Sequence, residues 1–233
     1  MGTWREQYVN RCEDGFYDQH GVPEVTIPKG MQVFWLHDAS NPAELNRPEM
    51  DAKDRQAGHP EVYEGRFSAN GFYLSCTGTY WLVTNRIYVQ CGRAVRGSAM
   101  YMHVFANANG GARLGLVDGD GVFVGSNARD PMERGTIEGS VVWGGWQGTY
   151  GAEALPDRKW VRLDAPEIIP TEGFVRLVVQ FNVDDPGFGA GHYDVFRLEQ
   201  YAEGEQPGPS PEVQRVEVTG PDGGPIVVRI ESP

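Results

Sequence analysis

The sequence predicts an all-β protein built as a two-sheet antiparallel sandwich with a short C-terminal β arm. Three observations predict it. The stretch Val175-Arg176-Leu177-Val178-Val179-Gln180-Phe181-Asn182-Val183 alternates apolar and polar residues, the pattern of a strand with one buried face. Glycine (31) and proline (16) are abundant without collagen periodicity, which suits many short strands joined by turns. Turn signals recur about every 8–12 residues, the spacing of a sandwich or barrel, and no long helical pattern interrupts them.

Taken in order, Tyr8–Cys12 reads as a first strand. Glu24–Ile27 and Gln32–Leu36 read as a hairpin around Pro28-Lys29-Gly30. Residues 38–58 are polar and read as one long loop. Val62–Tyr63, Gly71–Cys76, Tyr80–Val83 and Asn85–Cys91 are expected strands. Ser98–Ala106 alternates well and is followed by the turn Asn107–Gly111. Arg113–Val117 ends at Asp118-Gly119-Asp120-Gly121. Val122–Val124, Ser140–Trp143 and Trp160–Leu163 precede the long pair Val175–Val183 and Tyr193–Glu199, joined by an acidic, glycine-rich loop.

Residues 1–202 are therefore expected to form the sandwich. Residues 203–211, rich in Pro, Gly and Glu, read as a linker that packs no core. Residues 212–233 alternate around Gly220-Pro221-Asp222-Gly223-Gly224 and read as a two-strand arm. An isolated hairpin is marginal in water, so Val216, Val218, Ile226, Val228 and Ile230 are expected to pack on the body or on another subunit.

Composition narrows function. The net charge of −12, with no Lys/Arg patch, argues against a nucleic-acid or anionic-membrane partner. No apolar run approaches about 18 residues, so no segment is expected to span a membrane. The opening MGTWREQYVNRCEDG has no apolar core of a signal peptide. Cys12, Cys76 and Cys91 are too few and too far apart for a disulfide framework or a zinc pattern. His20, His37, His59, His103 and His192 show no metal-ligand spacing. Nucleophile-elbow, Walker, dinucleotide and zincin motifs are missing, and the reading is non-catalytic.

Two sets of residues carry candidate chemistry. Glu13, after the first strand, and Asp194, at the start of the last, would converge where first and last strands are neighbours. Hard oxygen ligands beside glycine turns suit calcium. Asp118-Gly119-Asp120-Gly121 is a weaker candidate of the same kind. Trp146, Gln147 and Tyr150 join aromatic faces, suited to stacking on sugar rings, to an amide that can bond hydroxyls.

The order of four segments resembles the galactose-binding-like jelly rolls of carbohydrate-binding modules. They are Asn10–Tyr17 (NRCEDGFY, similar to N-G-x-F-E-x-G-F), His59–Gly65 (HPEVYEG), Asn85–Gly92 (NRIYVQCG) and Tyr193–Leu198 (YDVFRL, similar to Y-x-D-D-V-x-L). The resemblance spans about residues 5–201 and implies a jelly roll with a structural calcium held by Glu13 and Asp194. The chain departs from the pattern at Cys12 and in having one Asp, not two, in the closing segment. The same fold serves as decoration or attachment modules on virions, and VEVTGPDGGPIVVRI looks like the tails of some tailed-phage proteins. The expectation is a surface or structural jelly roll, on a virion or extracellular, that forms a homo-oligomer or joins other virion subunits. A carbohydrate-binding module is the alternative, and a glycan-active enzyme the third reading.

Overall fold

The computed structural model describes residues 2–18, 24–35, 48–120, 122–124, 136–138, 141–149, 158–202, 214–219 and 225–230. Two sheets face each other as a jelly-roll β-sandwich. The first runs β15 (Val161–Asp164), β9 (Val95–Ala106), β17 (Phe188–Ala202), β6 (Phe67–Leu74), β5 (Glu49–Asp54), and β1 (Thr3–Asn10) also pairs with β17. The second runs β13 (Val141–Trp143), β10 (Gly110–Asp118), β16 (Phe174–Val183), β7 (Gly78–Thr84), β4 (Met31–Trp35). In it β14 (Gln147–Gly148) adds to β10 and β8 (Ile87–Tyr88) to β16. Two small ladders pair β2 (Phe16–Asp18) with β3 (Thr26–Pro28), and β11 (Val122–Val124) with β12 (Thr136–Glu138). Among the described residues no helix is long and apolar enough to cross a membrane.

The period-two pattern of β16 does what its spacing predicts. Val175, Leu177, Val179, Phe181 and Val183 are buried between the sheets, with Leu114, Leu116, Tyr80 and Leu82 beside them and Tyr73, Tyr101, Tyr193 and Phe196 opposite. Burial of each such side chain is worth about 1.5–3 kcal/mol. Tyr80 and Tyr193 share a hydrogen bond of 2.8 Å between their hydroxyls across the core, which satisfies polar tips that burial would otherwise penalise. Gly191 lies beside them because a Cβ there would come within 2.3 Å of the Tyr193 hydroxyl. Trp35 and Trp81 are buried, as their strand positions predict, whereas Trp160 is half-buried against Tyr63.

Several boundaries differ from the sequence reading. Residues 49–54 are strand β5, not loop. Only Met50 of this edge strand is fully buried, so its charged residues hide the alternation. Val62–Tyr63 is irregular, not a strand. Residues 24–27 and 32–36 do not form a hairpin: β3 pairs with β2, and β4 with β7. The last long strand begins at Phe188, so Asp194 sits in its interior, not at its start. The expected loop glycines Gly189 and Gly191 are strand positions pressed against core side chains.

The chain divides into a body, Trp4–Tyr201, and a second unit made of Met1–Thr3 and Ala202–Pro233. In the latter, β18 (Gln214–Thr219) pairs with β19 (Pro225–Ile230) in their own antiparallel ladder, with Val216 opposite Val228 and Val218 opposite Ile226; Ile230 stands opposite Gln214. The expected linker, residues 203–211, lies outside the described residues.

Candidate cleft on the outer face of the first sheet

Strand register builds the floor of a cleft of about 230 Å³. Asp51, Asn70, His192 and Met102 stand in one row across β5, β6, β17 and β9. The next row on the same face is Glu49, Phe72, Ala190 and Val104, and beyond it Phe188 pairs with Leu74 and Ala106. Period-two geometry puts Asn70 and Phe72, and Phe188, Ala190 and His192, on one side of the sheet. Phe72 and Phe188 are half-buried and lie with ring centroids 5.9 Å apart.

The wall is the irregular segment after β5. It carries His59 and Glu61, and Arg158 closes the rim beside them. Arg158 bonds Glu61 at 3.2 Å, and the His59 ring nitrogen lies 3.8 Å from the other Glu61 oxygen. On the floor, Lys53 pairs with Asp51 at 2.9 Å, and the Asn70 amide donates to the same carboxylate at 2.7 Å. Two carboxylates thus meet two cations inside the cleft. Burial, with Lys53 and Arg158 adding to it, pushes the His192 imidazole down to about 3, so the ring is neutral.

The wall is held by side chains from distant parts of the chain. Asp194 Oδ2 accepts the backbone N–H groups of Tyr63 (3.1 Å) and Glu64 (2.9 Å), and Oδ1 accepts that of Val195 (2.7 Å). Glu13 Oε1 accepts the N–H groups of Arg66 (2.7 Å) and Phe67 (2.9 Å). Gly65, at φ +71°, fits because a Cβ there would come within 2.4 Å of Glu13 Oε1. Arg55 adds bonds to the carbonyls of Val62 (2.6 Å) and Tyr63 (3.2 Å), and the Ser68 hydroxyl donates to the Glu61 carbonyl. A register shift after Asp194, with Val195 at φ +47°, re-aims β17 at this point. Burial pushes the Asp194 carboxyl up to about 6 despite its three amide donors, and the Glu13 charge adds to the rise.

The sequence-read residues divide among three places. Glu13 and Asp194 come together on the wall. Among the described residues no group of three or more His, Cys, Asp or Glu side chains is arranged to hold a metal. Asp118 and Asp120 are turn carboxylates tied to neighbours. Asp118 accepts from Thr171 and Glu172, and Asp120 from Arg86 and Arg176. Gln147 opens β14 of the second sheet, and Trp146 directly precedes it. There Arg113 lies over both Trp143 (4.4 Å) and Trp146 (4.7 Å), held at its Nε by Gln180. Tyr150 lies outside the described residues. The cleft residues Asn70, Phe72, Phe188 and His192 were not singled out as site residues in the sequence. The alternation Phe188, Ala190, His192, Asp194 is the signal that marks them.

No protein-family model matches the chain, and no curated protein matches it. Solved structures do show similarity. The structure of TmCBM61 in complex with β-1,4-galactotriose is 16% identical, with 73% of this chain and 88% of that one covered and a TM-score of 0.40. The CBM22-1 xylan-binding domain from Paenibacillus barcinonensis Xyn10C is 13% identical, with 86% and 97% covered and a TM-score of 0.42. The enzymatically active domain of Bacteriophage CBA120 tailspike protein 4 is 10% identical, with 74% of this chain but 19% of that one covered and a TM-score of 0.41.

Proposed function

We propose that this protein binds a carbohydrate in the cleft on the β5–β6–β17–β9 face and does not turn it over. The observation that carries this reading is the polar row Asp51–Asn70–His192 beside the rings of Phe72 and Phe188. Sugars need both: apolar ring faces to cover their C–H surface, and fixed polar groups to meet their hydroxyls. The cleft carboxylates are engaged by cations within 3.2 Å, which suits binding more than proton transfer. Affinity electrophoresis against xylan, β-1,4-galactan, mannan and mixed-linkage glucan tests the reading. Retardation by at least one, lost in Phe188→Ala, is expected without release of reducing ends. Trp146, Gln147 and Tyr150 are the rival sugar-binding residues read from the sequence. Loss of binding in Trp146→Ala, with Phe188→Ala unaffected, would move the site to the second sheet.

A second reading is a surface or virion component that self-associates through the arm. The β18–β19 hairpin favours it, since two strands alone are marginal and readily add to another sheet. Light scattering on the full chain and on a deletion of residues 203–233 tests it. An oligomer that becomes monomeric on deletion is expected; a monomer in both cases ends the idea. Calcium at Glu13 and Asp194 is a further proposal, supported by their approach to one segment. Any ion there would compete with backbone N–H groups for Asp194 Oδ2 and Glu13 Oε1.

A further inference from the structure

Among the described residues, two buried polar atoms of the cleft floor have no hydrogen-bond partner. Asn70 is 2% exposed and His192 4% exposed, and they stand opposite each other in the β6–β17 ladder. Asp51 fixes the orientation of the Asn70 amide: Nδ2 must point at the carboxylate, and Lys53 holds the other carboxylate oxygen. Asn70 Oδ1 is thereby left as a buried acceptor without a donor. His192 Nδ1 is likewise buried without a partner. Native interiors keep few such atoms, because an unpaired one forfeits its hydration. Both residues line the same cleft.

The chemistry of the missing partner follows from the two atoms. Asn70 Oδ1 only accepts, so the partner must donate. The neutral His192 ring presents at Nδ1 either an N–H or a lone pair. One hydroxyl group satisfies both, by donating to Asn70 and accepting from His192 Nδ1–H. A carboxylate or sulfate has no proton for Asn70. An ammonium would enter beside Lys53 and Arg158, two of the charges that face His192 together with Asp51 and His59. Building on the carbohydrate reading of this cleft, we propose that Asn70 and His192 form a hydroxyl-reading pair, and that the ligand presents an uncharged sugar hydroxyl to it.

Calorimetric titration tests the pair, using whichever of xylan, β-1,4-galactan, mannan or mixed-linkage glucan the wild type binds best, with polygalacturonate as the anionic comparison. His192→Phe and Asn70→Leu are each expected to weaken binding on the order of tenfold. The double variant should be little weaker than either single one, because both atoms serve one hydroxyl. His192→Phe removes an unpaired nitrogen and should melt no lower than wild type. On the wild-type protein, the His192 Nδ1 resonance should shift during the titration. Unchanged affinity in both variants with a static Nδ1 resonance overturns the pair and leaves the carbohydrate reading standing. Tightest binding to polygalacturonate also overturns the pair. Binding to none of the five polysaccharides overturns the carbohydrate reading and the pair with it.

Discussion

Glu13 and Asp194 come from opposite ends of the body yet grip the same segment, one at the backbone of Arg66 and Phe67, the other at that of Tyr63 and Glu64. Each uses a single carboxylate oxygen to collect two consecutive amides. The wall of the cleft therefore takes its position from the first turn and the last long strand.

Asp194→Ala leaves the amides of Tyr63, Glu64 and Val195 without their acceptor. Charge-assisted bonds of this kind are worth about 1.5–3 kcal/mol each in favourable cases, offset here by relief of a buried charge. A net loss of about 2–3 kcal/mol in urea unfolding is expected. Glu13→Ala should cost less, because Glu13 is exposed and water can replace it. Equal losses from the two substitutions would contradict the burial difference.

Acid sensitivity should be traceable to Asp120. Its hydrogen bonds to Arg86 and Arg176 pull the carboxyl from 3.8 to about 2. The unfolded chain then takes up the proton first as pH falls. This contribution is complete above about pH 4 and is lost as pH falls through about 2. Urea midpoints measured across that window should fall less steeply in Asp120→Asn than in wild type; parallel curves would remove the assignment.

Gly191→Ala places a methyl within 2.3 Å of the Tyr193 hydroxyl in the packed core. The ring must shift and its bond to Tyr80 must lengthen. Overpacking of this sort costs about 1–3 kcal/mol. Differential scanning calorimetry should show a lower Tm, and a melt indistinguishable from wild type would mean that the tyrosine layer has slack.

If calcium binds at Glu13 and Asp194, adding a chelator should lower Tm. An ion at a hundredfold excess over its Kd stabilises by about 2.7 kcal/mol. The shift should vanish in Asp194→Ala. No change with chelator in the wild type would exclude an ion with any bearing on stability.

The sandwich was legible because β16 carries its pattern openly: five apolar residues at alternate positions all enter the core. Glu13 and Asp194 stood out in the sequence as oxygen ligands beside the first and last strands; that both accept backbone N–H groups of residues 63–67, with Asp194 inside β17, was not visible there. Strand β5 was not, because a charged edge strand resembles a polar loop in composition. The start of β17 was hidden by Gly189 and Gly191, which read as turn residues but are small to make room for Val183, Phe105 and Tyr193. The cleft stayed out of sight for a related reason. Its floor takes one to three residues from each of four strands, and only their register makes them neighbours.

The wall of the cleft contributes no rung to the first sheet. It hangs on carboxylate-to-amide bonds that recognise backbone and are indifferent to the side chains attached. His59 and Glu61 can therefore be exchanged without disturbing a ladder, while buried Val62 and the floor are locked to the fold. A library randomised at His59 and Glu61, which line the cleft, would retune what the face recognises at little risk to folding, as loop grafting does on antibody frameworks.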